Sequence, residues 1–206
     1  MLLERFPRSP NDTGNHIYRT QHYVRALAEA ARPLFPDELD DDTIELIFKS
    51  APLHDIGKIG VPDRILFKPG KLDVEEFAVM QRHTELGRHA IEAAERRLGM
   101  STFLAVAKEI AFTHHEKWNG SGYPRGLSQT DIPLSGRPMA IADVYDALVS
   151  ERIYKKAMTH SEAVALIVRE KGMHFDPNLV EVFERVAPIF DEIHRKFNDP
   201  GSPEAA

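Results

Sequence analysis

Apolar residues recur at intervals of three and four along most of this chain, which is the spacing of helices that bury one face. The pattern predicts helices over residues 15–31, 43–53, 73–81, 85–98, 101–113, 139–149, 161–170 and 177–197. Asp42 is expected to cap the second of these helices, and Ser161 with Glu162 is expected to begin the seventh. No segment shows the clear alternation of apolar and polar residues that a half-buried strand requires. We therefore expect an all-α domain built as a helical bundle.

Two irregular segments interrupt these helices. Residues 56–71 and 118–133 each contain several glycines and prolines, which break helices and form turns. The second is a long loop of the kind that is retained for function rather than for packing. The predicted architecture is thus a helical bundle interrupted by two Gly/Pro-rich loops.

The composition restricts the chemistry that the chain can perform. Its 206 residues suit one domain with a sizeable core. The chain has ten histidines and no cysteine. The absence of cysteine excludes a disulfide, an iron–sulfur cluster and a thiolate zinc site, so any metal ion must be bound by His, Asp and Glu. The net charge of −6 argues against nonspecific binding of DNA over a broad surface.

No apolar run approaches the roughly 18 residues needed to span a bilayer. Residues 1–10 lack the basic segment and apolar stretch of a secretory signal. We therefore expect a cytoplasmic protein with no membrane span.

His54 and Asp55 give the most specific local signal of a metal site. They lie where the second predicted helix ends, just before Gly57 and Lys58. An imidazole and a carboxylate on consecutive residues can chelate one ion near a helix end, which Gly57 provides. The alternative is that His54 caps the helix by bonding a free carbonyl group and that Asp55 is solvated.

A second pair, His114 and His115, also lies between an apolar helix and a Gly/Pro-rich loop. Two neighbouring imidazoles at a helix end can face two metal ions or one shared cavity. The alternative is an exposed polar helix end. His83 stands at the junction of two predicted helices and, taken alone, would more often be a structural histidine.

Carboxylates at two further places extend this set. Asp143 lies in an apolar stretch, where a buried carboxylate needs a cation or hydrogen bonds, and Asp146 follows one turn later on the same face. Asp12 and His16 share one side of the first helix if that helix begins by Asp12, although Asp12 alternatively only caps it.

Together these residues offer nitrogen and oxygen ligands for two metal ions, or even three. A mixed set of His and carboxylate ligands favours a transition metal such as Fe, Mn, Zn or Ni, with Mg also accepted, over Ca. Two ions about 3.5–4 Å apart can clamp a phosphate group during in-line displacement, which indicates hydrolysis of a phosphate ester. Lys58, one turn from His54, is expected to offset charge on the phosphate oxygens; alternatively it is a cation at a helix C-terminus.

The ordered motifs of the chain resemble the HD-GYP subgroup of the HD phosphohydrolases, which are bacterial cyclic di-GMP phosphodiesterases. The motifs are DTGNH at 12–16, HDIGKIGVPDRIL from His54, MQRHTELG from Met80, HHEKWNGSGYPRGL from His114 and IADVYDALVSERIYK ending at Lys155. The resemblance covers almost the whole chain and implies a helical bundle with a long GYP loop and a C-terminal helical extension. It implies metal ligands at Asp12, His16, His54, Asp55, His83, His114, His115 and Asp143.

The same resemblance implies hydrolysis of cyclic di-GMP to linear pGpG, and in some members to GMP, in bacterial signalling. Asp55 and Lys58 would act at the scissile group, and Lys58, Tyr123, Arg152 and Lys155 would contact the substrate. This is chemically reasonable because an Arg fork pairs with phosphate or a guanine edge, while Lys acts as a point charge. Arg152 and Lys155 are alternatively a solvated basic patch, and Tyr123 alternatively pins its own loop.

Partners and rival functions follow from the resemblance as well. The GYP loop is expected to contact a diguanylate cyclase or another partner, and a homodimer is expected. The rival functions are an HD phosphohydrolase that acts on another cyclic dinucleotide or nucleotide, and a catalytically weak sensor or adaptor that binds cyclic di-GMP.

Two departures from the family pattern affect the expected site. Asp12 stands where Glu is common, and its shorter side chain favours two metal ions, Fe or Mn first, over three. Asn119 stands where Asp is usual, which removes a charge from the GYP loop. We expect residues 1–11 to be a shortened lead-in, residues 12–197 the HD-GYP phosphodiesterase domain and residues 198–206 a flexible tail, with no receiver or sensor domain preceding them.

Overall fold

The computed structural model describes residues 13–150 and 156–198. Three predicted site residues, Asp12, Arg152 and Lys155, lie outside the described residues, as do the predicted lead-in and all but the first residue of the predicted tail. The described α-helices are α1 (Thr13–Ala31), α2 (Asp41–Ser50), α3 (Asp63–Leu66), α4 (Val74–Gln81), α5 (His83–Leu98), α6 (Thr102–Thr113), α7 (Gly136–Val149), α8 (His160–Arg169) and α9 (Pro177–Asn198). Since these residues form no β-sheet, the expected all-α class is confirmed.

The main core forms where α1, α7 and α9 pack together. Tyr23 of α1, Tyr145 of α7 and Phe190 of α9 are fully buried, and their ring centroids lie 4.6–5.2 Å apart. Aromatic pairs at these distances add to the stabilisation that burial provides. This packing fixes α1 against α7, the two helices that carry His16 and Asp143.

At Gly57, the segment that follows α2 packs closely against the backbone of α5. Ile56–Gly60 forms a turn of 3-10 helix on α5, and a Cβ added at Gly57 would lie 1.9 Å from the His83 carbonyl oxygen and 2.3 Å from the Gly87 nitrogen. Only glycine, which has no Cβ, permits this contact. The contact brings the chain around Asp55 and Lys58 next to His83.

The capping residues of two helices differ from the prediction. Asp40, not Asp42, caps α2, and its Oδ1 accepts a hydrogen bond from the Thr43 backbone N–H at 2.7 Å. Thr159, not Ser161, caps α8 in a capping box with Glu162. In both places several neighbouring residues have side chains that can cap, so residue type alone does not fix where the helix begins.

Prolines explain two further differences in helix boundaries. The helix predicted for 43–53 ends at Ser50 and continues as a 3-10 turn, Ala51–Leu53, because Pro52 lacks an N–H group for an α-helical bond. Conversely, α7 begins at Gly136 rather than at 139. Pro138 is accepted there since N–H groups in the first turn have no partner within the helix.

The predicted loop over residues 56–71 contains short helical structure, namely the 3-10 turn Ile56–Gly60 and the four-residue helix α3. The predicted loop over 118–133 contains a 3-10 turn, Gln129–Asp131, and an isolated antiparallel bridge between Asn119 and Ser128. Among the helices that the structure describes, none combines the length and apolar content needed to cross a membrane.

Candidate metal centre

His16, His54 and Asp143 form one cluster of candidate metal ligands, and all three are buried. The Nε2 atoms of His16 and His54 lie 3.2 Å apart. Asp143 Oδ1 lies 3.8 Å from each of these nitrogens. The cluster therefore joins the start of α1, the end of the Ala51–Leu53 turn and the middle of α7.

Asp55, His83, His114 and His115 form a second cluster. Asp55 Oδ1 lies 3.5 Å from His83 Nε2 and 3.8 Å from His114 Nε2. The Nε2 atoms of His83 and His114 are 3.5 Å apart. Within each cluster the ligand atoms all lie within 4.8 Å of one another.

The consecutive residues His54 and Asp55 connect the two clusters. His54 Nε2 belongs to the first cluster and lies 3.2 Å from Asp55 Oδ2, while Asp55 Oδ1 faces the second cluster. The chain turns here between two 3-10 segments, which lets neighbouring side chains face one region. The two clusters thus form one continuous group of nitrogen and oxygen ligands.

Four of the five histidines are oriented through their second ring nitrogen. His54, His83 and His114 donate Nδ1–H to the carbonyl oxygens of Ala51, Met80 and Ile110, at distances of 2.9, 2.8 and 3.0 Å. His16 donates Nδ1–H to the carboxylate of Asp146 at 2.8 Å. A hydrogen bond of this kind fixes the tautomer and leaves Nε2 for a metal ion.

The convergence of these Nε2 atoms tests whether the site fits a metal. A neutral imidazole that donates from Nδ1 carries a lone pair, not a proton, on Nε2. Lone pairs therefore face each other across 3.2 Å between His16 and His54, and across 3.5 Å between His83 and His114. A cation between such atoms turns repulsion into coordination, and the mixed nitrogen and carboxylate set suits divalent transition metals.

The buried imidazoles have depressed basicity. Burial, the largest cause, lowers the pKa of His83 to about 4 and that of His114 to about 3. Burial, together with the neighbouring His114 and His83, also lowers the pKa of His115. These rings are therefore neutral near pH 7, which is the state that binds metal ions.

Lys58 lies beside the two clusters. Its Nζ is 2.5 Å from Asp55 Oδ2, and its side chain is partly exposed. The lysine therefore brings a positive charge to the partly exposed edge of the two clusters.

Asp146 and Arg19 are supporting residues whose roles the sequence reasoning did not identify, although Asp146 was seen to share a face with Asp143. Arg19 is fully buried, and its Nε and Nη2 donate to the Asp146 carboxylate at 2.6 and 3.1 Å. Burial alone would raise the pKa of Asp146, but hydrogen bonds from His16 and Arg19, together with the charge of Arg19, lower it below its usual range. An ionised Asp146 is thus available to orient His16.

The predicted site residues that the structure describes all lie in or beside the two clusters. The described residues that were predicted as ligands come together in the two clusters, with Lys58 beside them. Tyr123 also lies at the site, because its ring stacks on His115 with centroids 4.7 Å apart. Their assigned roles as ligands and substrate contacts stay predictions, as do those of Asp12, Arg152 and Lys155.

Comparison with known proteins identifies the family. The profile of the HD domain family matches residues 11–179, which is most of the chain. The chain belongs to the HD domain family. Its HD domain contains the paired His54 and Asp55 at the junction of the two clusters.

Two Vibrio cholerae proteins are similar to this HD domain chain. It is 58% identical over 191 residues to a cyclic di-GMP phosphodiesterase, covering 92% of this chain and 39% of that protein. It is 46% identical over 171 residues to 3′3′-cGAMP-specific phosphodiesterase 2, covering 83% of this chain and 31% of that protein. The chain thus spans less than half the length of these curated relatives.

A solved structure shares the fold. An HDG"Y"P protein from Bdellovibrio bacteriovorus matches with a TM-score of 0.60 at 18% sequence identity, covering 87% of this chain and 54% of that one. This match confirms the helical fold, and the relatives above confirm the resemblance to cyclic di-GMP phosphodiesterases that the sequence motifs indicated.

Proposed function

We propose that this HD domain chain is a metal-dependent phosphodiesterase that hydrolyses cyclic di-GMP to linear pGpG, with GMP as a further product. The observation that carries the proposal is the convergence of histidine Nε2 lone pairs and two carboxylates in two adjoining clusters. Such a pair of clusters suits two metal ions that act on one phosphodiester. The choice of substrate is supported by the 58% sequence identity between this chain and a Vibrio cholerae cyclic di-GMP phosphodiesterase.

The proposal assigns one ion to each cluster, Fe or Mn first, with Zn, Ni or Mg as alternatives. Asp12 is a further ligand in this assignment. When bound, a pair of divalent ions polarises the phosphodiester and lowers the pKa of water near it.

Residues of this chain orient the histidine ligands and place a positive charge beside the substrate phosphate. Hydrogen bonds at Nδ1 of His16, His54, His83 and His114 keep Nε2 aimed at the clusters. Lys58 donates to a phosphate oxygen as negative charge develops there, and Asp55 holds its ammonium group in reach. Arg152 and Lys155 bind the second phosphate or a guanine edge.

A second cyclic dinucleotide is the alternative substrate. The relative with 46% identity is named a 3′3′-cGAMP-specific phosphodiesterase. This compound also has two phosphodiester bonds but replaces one guanine with adenine. The contacts to the bases, rather than the metal centre, would separate the two activities.

The direct test compares wild type with Asp55→Asn on cyclic di-GMP, 3′3′-cGAMP and pGpG, with products identified by chromatography and mass spectrometry. Asp37→Asn is the matched control, because Asp37 is exposed beyond the opposite end of α1. Asp55→Asn is expected to lower turnover by more than about 100-fold, since loss of even an outer-sphere partner costs about 10–100-fold. Asp37→Asn is expected to match wild type.

Equal turnover by Asp55→Asn and wild type would contradict the proposal. Faster hydrolysis of 3′3′-cGAMP than of cyclic di-GMP would instead support the alternative substrate. Tight binding of cyclic di-GMP by metal-replete wild type without any product would support a sensor or adaptor. Contact of the GYP loop with a diguanylate cyclase and formation of a homodimer stay predictions.

A further inference from the structure

We propose that Tyr123 is a positioning residue that orients the candidate ligand His115, and that Glu116 holds the loop that presents Tyr123. This inference rests on the proposed metal centre and adds to it a role for the GYP loop. It concerns the binding of metal, so it can be tested without any nucleotide.

His115 differs from the other histidines of the two clusters in how its ring is held. Each of the other four donates Nδ1–H to a carbonyl or carboxylate oxygen. Within residues 13–150 and 156–198, neither ring nitrogen of His115 makes such a hydrogen bond. Its ring is instead in contact with the rings of His114 and Tyr123, at centroid distances of 4.1 and 4.7 Å.

Tyr123 is placed to restrict rotation of the His115 ring. The two rings are inclined by only 26°, so Tyr123 covers one face of the imidazole. Tyr123 also forms T-shaped pairs with Phe77 and His83, with ring centroids 6.1 and 6.4 Å away. Tyr123 is therefore packed between Phe77 of α4 on one side and the histidines of the second cluster on the other.

The backbone holds Tyr123 in this position. Its N–H donates to the carbonyl oxygen of His115 at 3.2 Å, so residue 123 folds directly back onto residue 115. Gly122 makes the fold possible, because a Cβ added there would lie 2.3 Å from the Lys117 nitrogen and 2.6 Å from the His115 oxygen. A larger residue at 122 would push the tyrosine away from the imidazole.

Glu116 fixes the far side of the same loop. Its side chain is buried, with 2% of the residue exposed. Oε1 accepts a hydrogen bond from the Arg125 N–H at 2.8 Å, and Oε2 accepts one from the Leu127 N–H at 2.9 Å. The residue next to His115 in sequence therefore clamps the chain that follows Tyr123, and the loop closes on both sides of the stack.

The test is titration of the metal-free protein with Mn²⁺, followed by electron paramagnetic resonance. Wild type is expected to bind two equivalents. Tyr123→Leu is expected to weaken one of the two sites by about 10–100-fold, the usual cost of losing a residue that orients a ligand, and to leave the other unchanged. Tyr123→Phe, which keeps the stacked ring, is expected to restore both sites.

Two further variants make the result specific. Tyr18→Leu is the matched control, because Tyr18 also stacks on an aromatic ring, that of Phe197, but lies on the exposed side of α1. It is expected to bind Mn²⁺ as wild type does. Glu116→Gln, which replaces one carboxylate oxygen by an amide group, is expected to weaken the same site as Tyr123→Leu, and circular dichroism checks that each variant is folded.

The inference would be overturned if Tyr123→Leu and Glu116→Gln both bound two equivalents of Mn²⁺ with wild-type affinity. A rise in KM for cyclic di-GMP with unchanged Mn²⁺ binding would overturn it too, because Tyr123 would then act on the substrate alone. Failure of the proposed function is distinguishable, since a wild type that binds two Mn²⁺ but hydrolyses no cyclic dinucleotide would leave the Mn²⁺ comparison intact.

Discussion

Replacing Asp146 by alanine removes the carboxylate that connects Arg19 to His16. In the folded protein this carboxylate accepts hydrogen bonds from Arg19 Nε at 2.6 Å and from His16 Nδ1 at 2.8 Å. Arg19 is fully buried, and its Nη2 also donates to the Ser150 hydroxyl at 3.1 Å. Asp146→Ala therefore removes a carboxylate that is hydrogen-bonded to a buried guanidinium group.

The expected cost follows from this burial. Removing one partner of a buried ion pair destabilises a protein by about 3–5 kcal/mol. For a chain of this size each kcal/mol lowers Tm by about 2–4 °C, so the fall in Tm is expected to be roughly 6–20 °C. Loss of the bond to His16 Nδ1 is expected to weaken metal binding by about 10–100-fold in addition.

The assay is thermal unfolding in the presence of a chelator, which separates the ion-pair effect from metal binding. Glu181→Ala is the control, because Glu181 pairs with Lys171 at 2.7 Å on the exposed surface. Surface pairs contribute about 0–1 kcal/mol, so this variant is expected to change Tm little. If Asp146→Ala unfolded at the same temperature as Glu181→Ala, the buried ion pair would not support the site in the way described.

Three other results are expected. Gly57→Ala should lower the free energy of unfolding by about 1–3 kcal/mol and reduce the metal content, because the added Cβ would strike the backbone of α5. Gly60→Ala is the control and should cost less, because its Cβ would meet the flexible Leu86 side chain at 3.0 Å. Metal-free protein should lose stability as pH falls from 6.5 to 5, by roughly 1–2 kcal/mol for each of His83 and His114. The reason is that the unfolded rings take up protons that the folded rings, with pKa values of about 4 and 3, do not. Urea unfolding at several pH values measures this loss, and a flat profile would contradict it. Arg152→Ala should raise KM for cyclic di-GMP more than it lowers kcat if Arg152 binds the substrate before reaction, and steady-state kinetics with an unchanged KM would refute that role.

Much of the site was predictable because its ligands come from local patterns. His54 with Asp55 and His114 with His115 are adjacent residues at helix ends, and each pair could be recognised without knowing its partners. The resemblance to HD-GYP proteins then connected the pairs with His16, His83 and Asp143. The structure brings these side chains together in two adjoining clusters.

What the sequence did not show depends on contacts between distant residues. Arg19 and Asp146 are 127 residues apart, and nothing in either helix indicates that one neutralises the other. Asp146 was visible only as a second carboxylate on the face of Asp143. The stack of Tyr123 on His115 likewise depends on the path of the loop, which Glu116 and Gly122 set through backbone contacts.

Helix boundaries were wrong where several residues could begin the same helix. Asp40, Asp41 and Asp42 are all suitable capping residues, and in the structure it is the Asp40 side chain that accepts the hydrogen bond from the Thr43 N–H. The helix predicted from 139 begins at Gly136, because Pro138 in the first turn removes no hydrogen bond. These errors moved helix ends by about one turn or less and did not change which side chains form the two clusters.

The central claim, two metal ions acting on one phosphodiester, is tested most directly by measuring metal content and turnover on the same anaerobically purified protein. Metal analysis is expected to give about two divalent ions per chain, with cyclic di-GMP converted to pGpG. Chelation is expected to abolish turnover, and two equivalents of the removed metal are expected to restore it. Undiminished hydrolysis of cyclic di-GMP by protein shown to be free of metal would contradict the account.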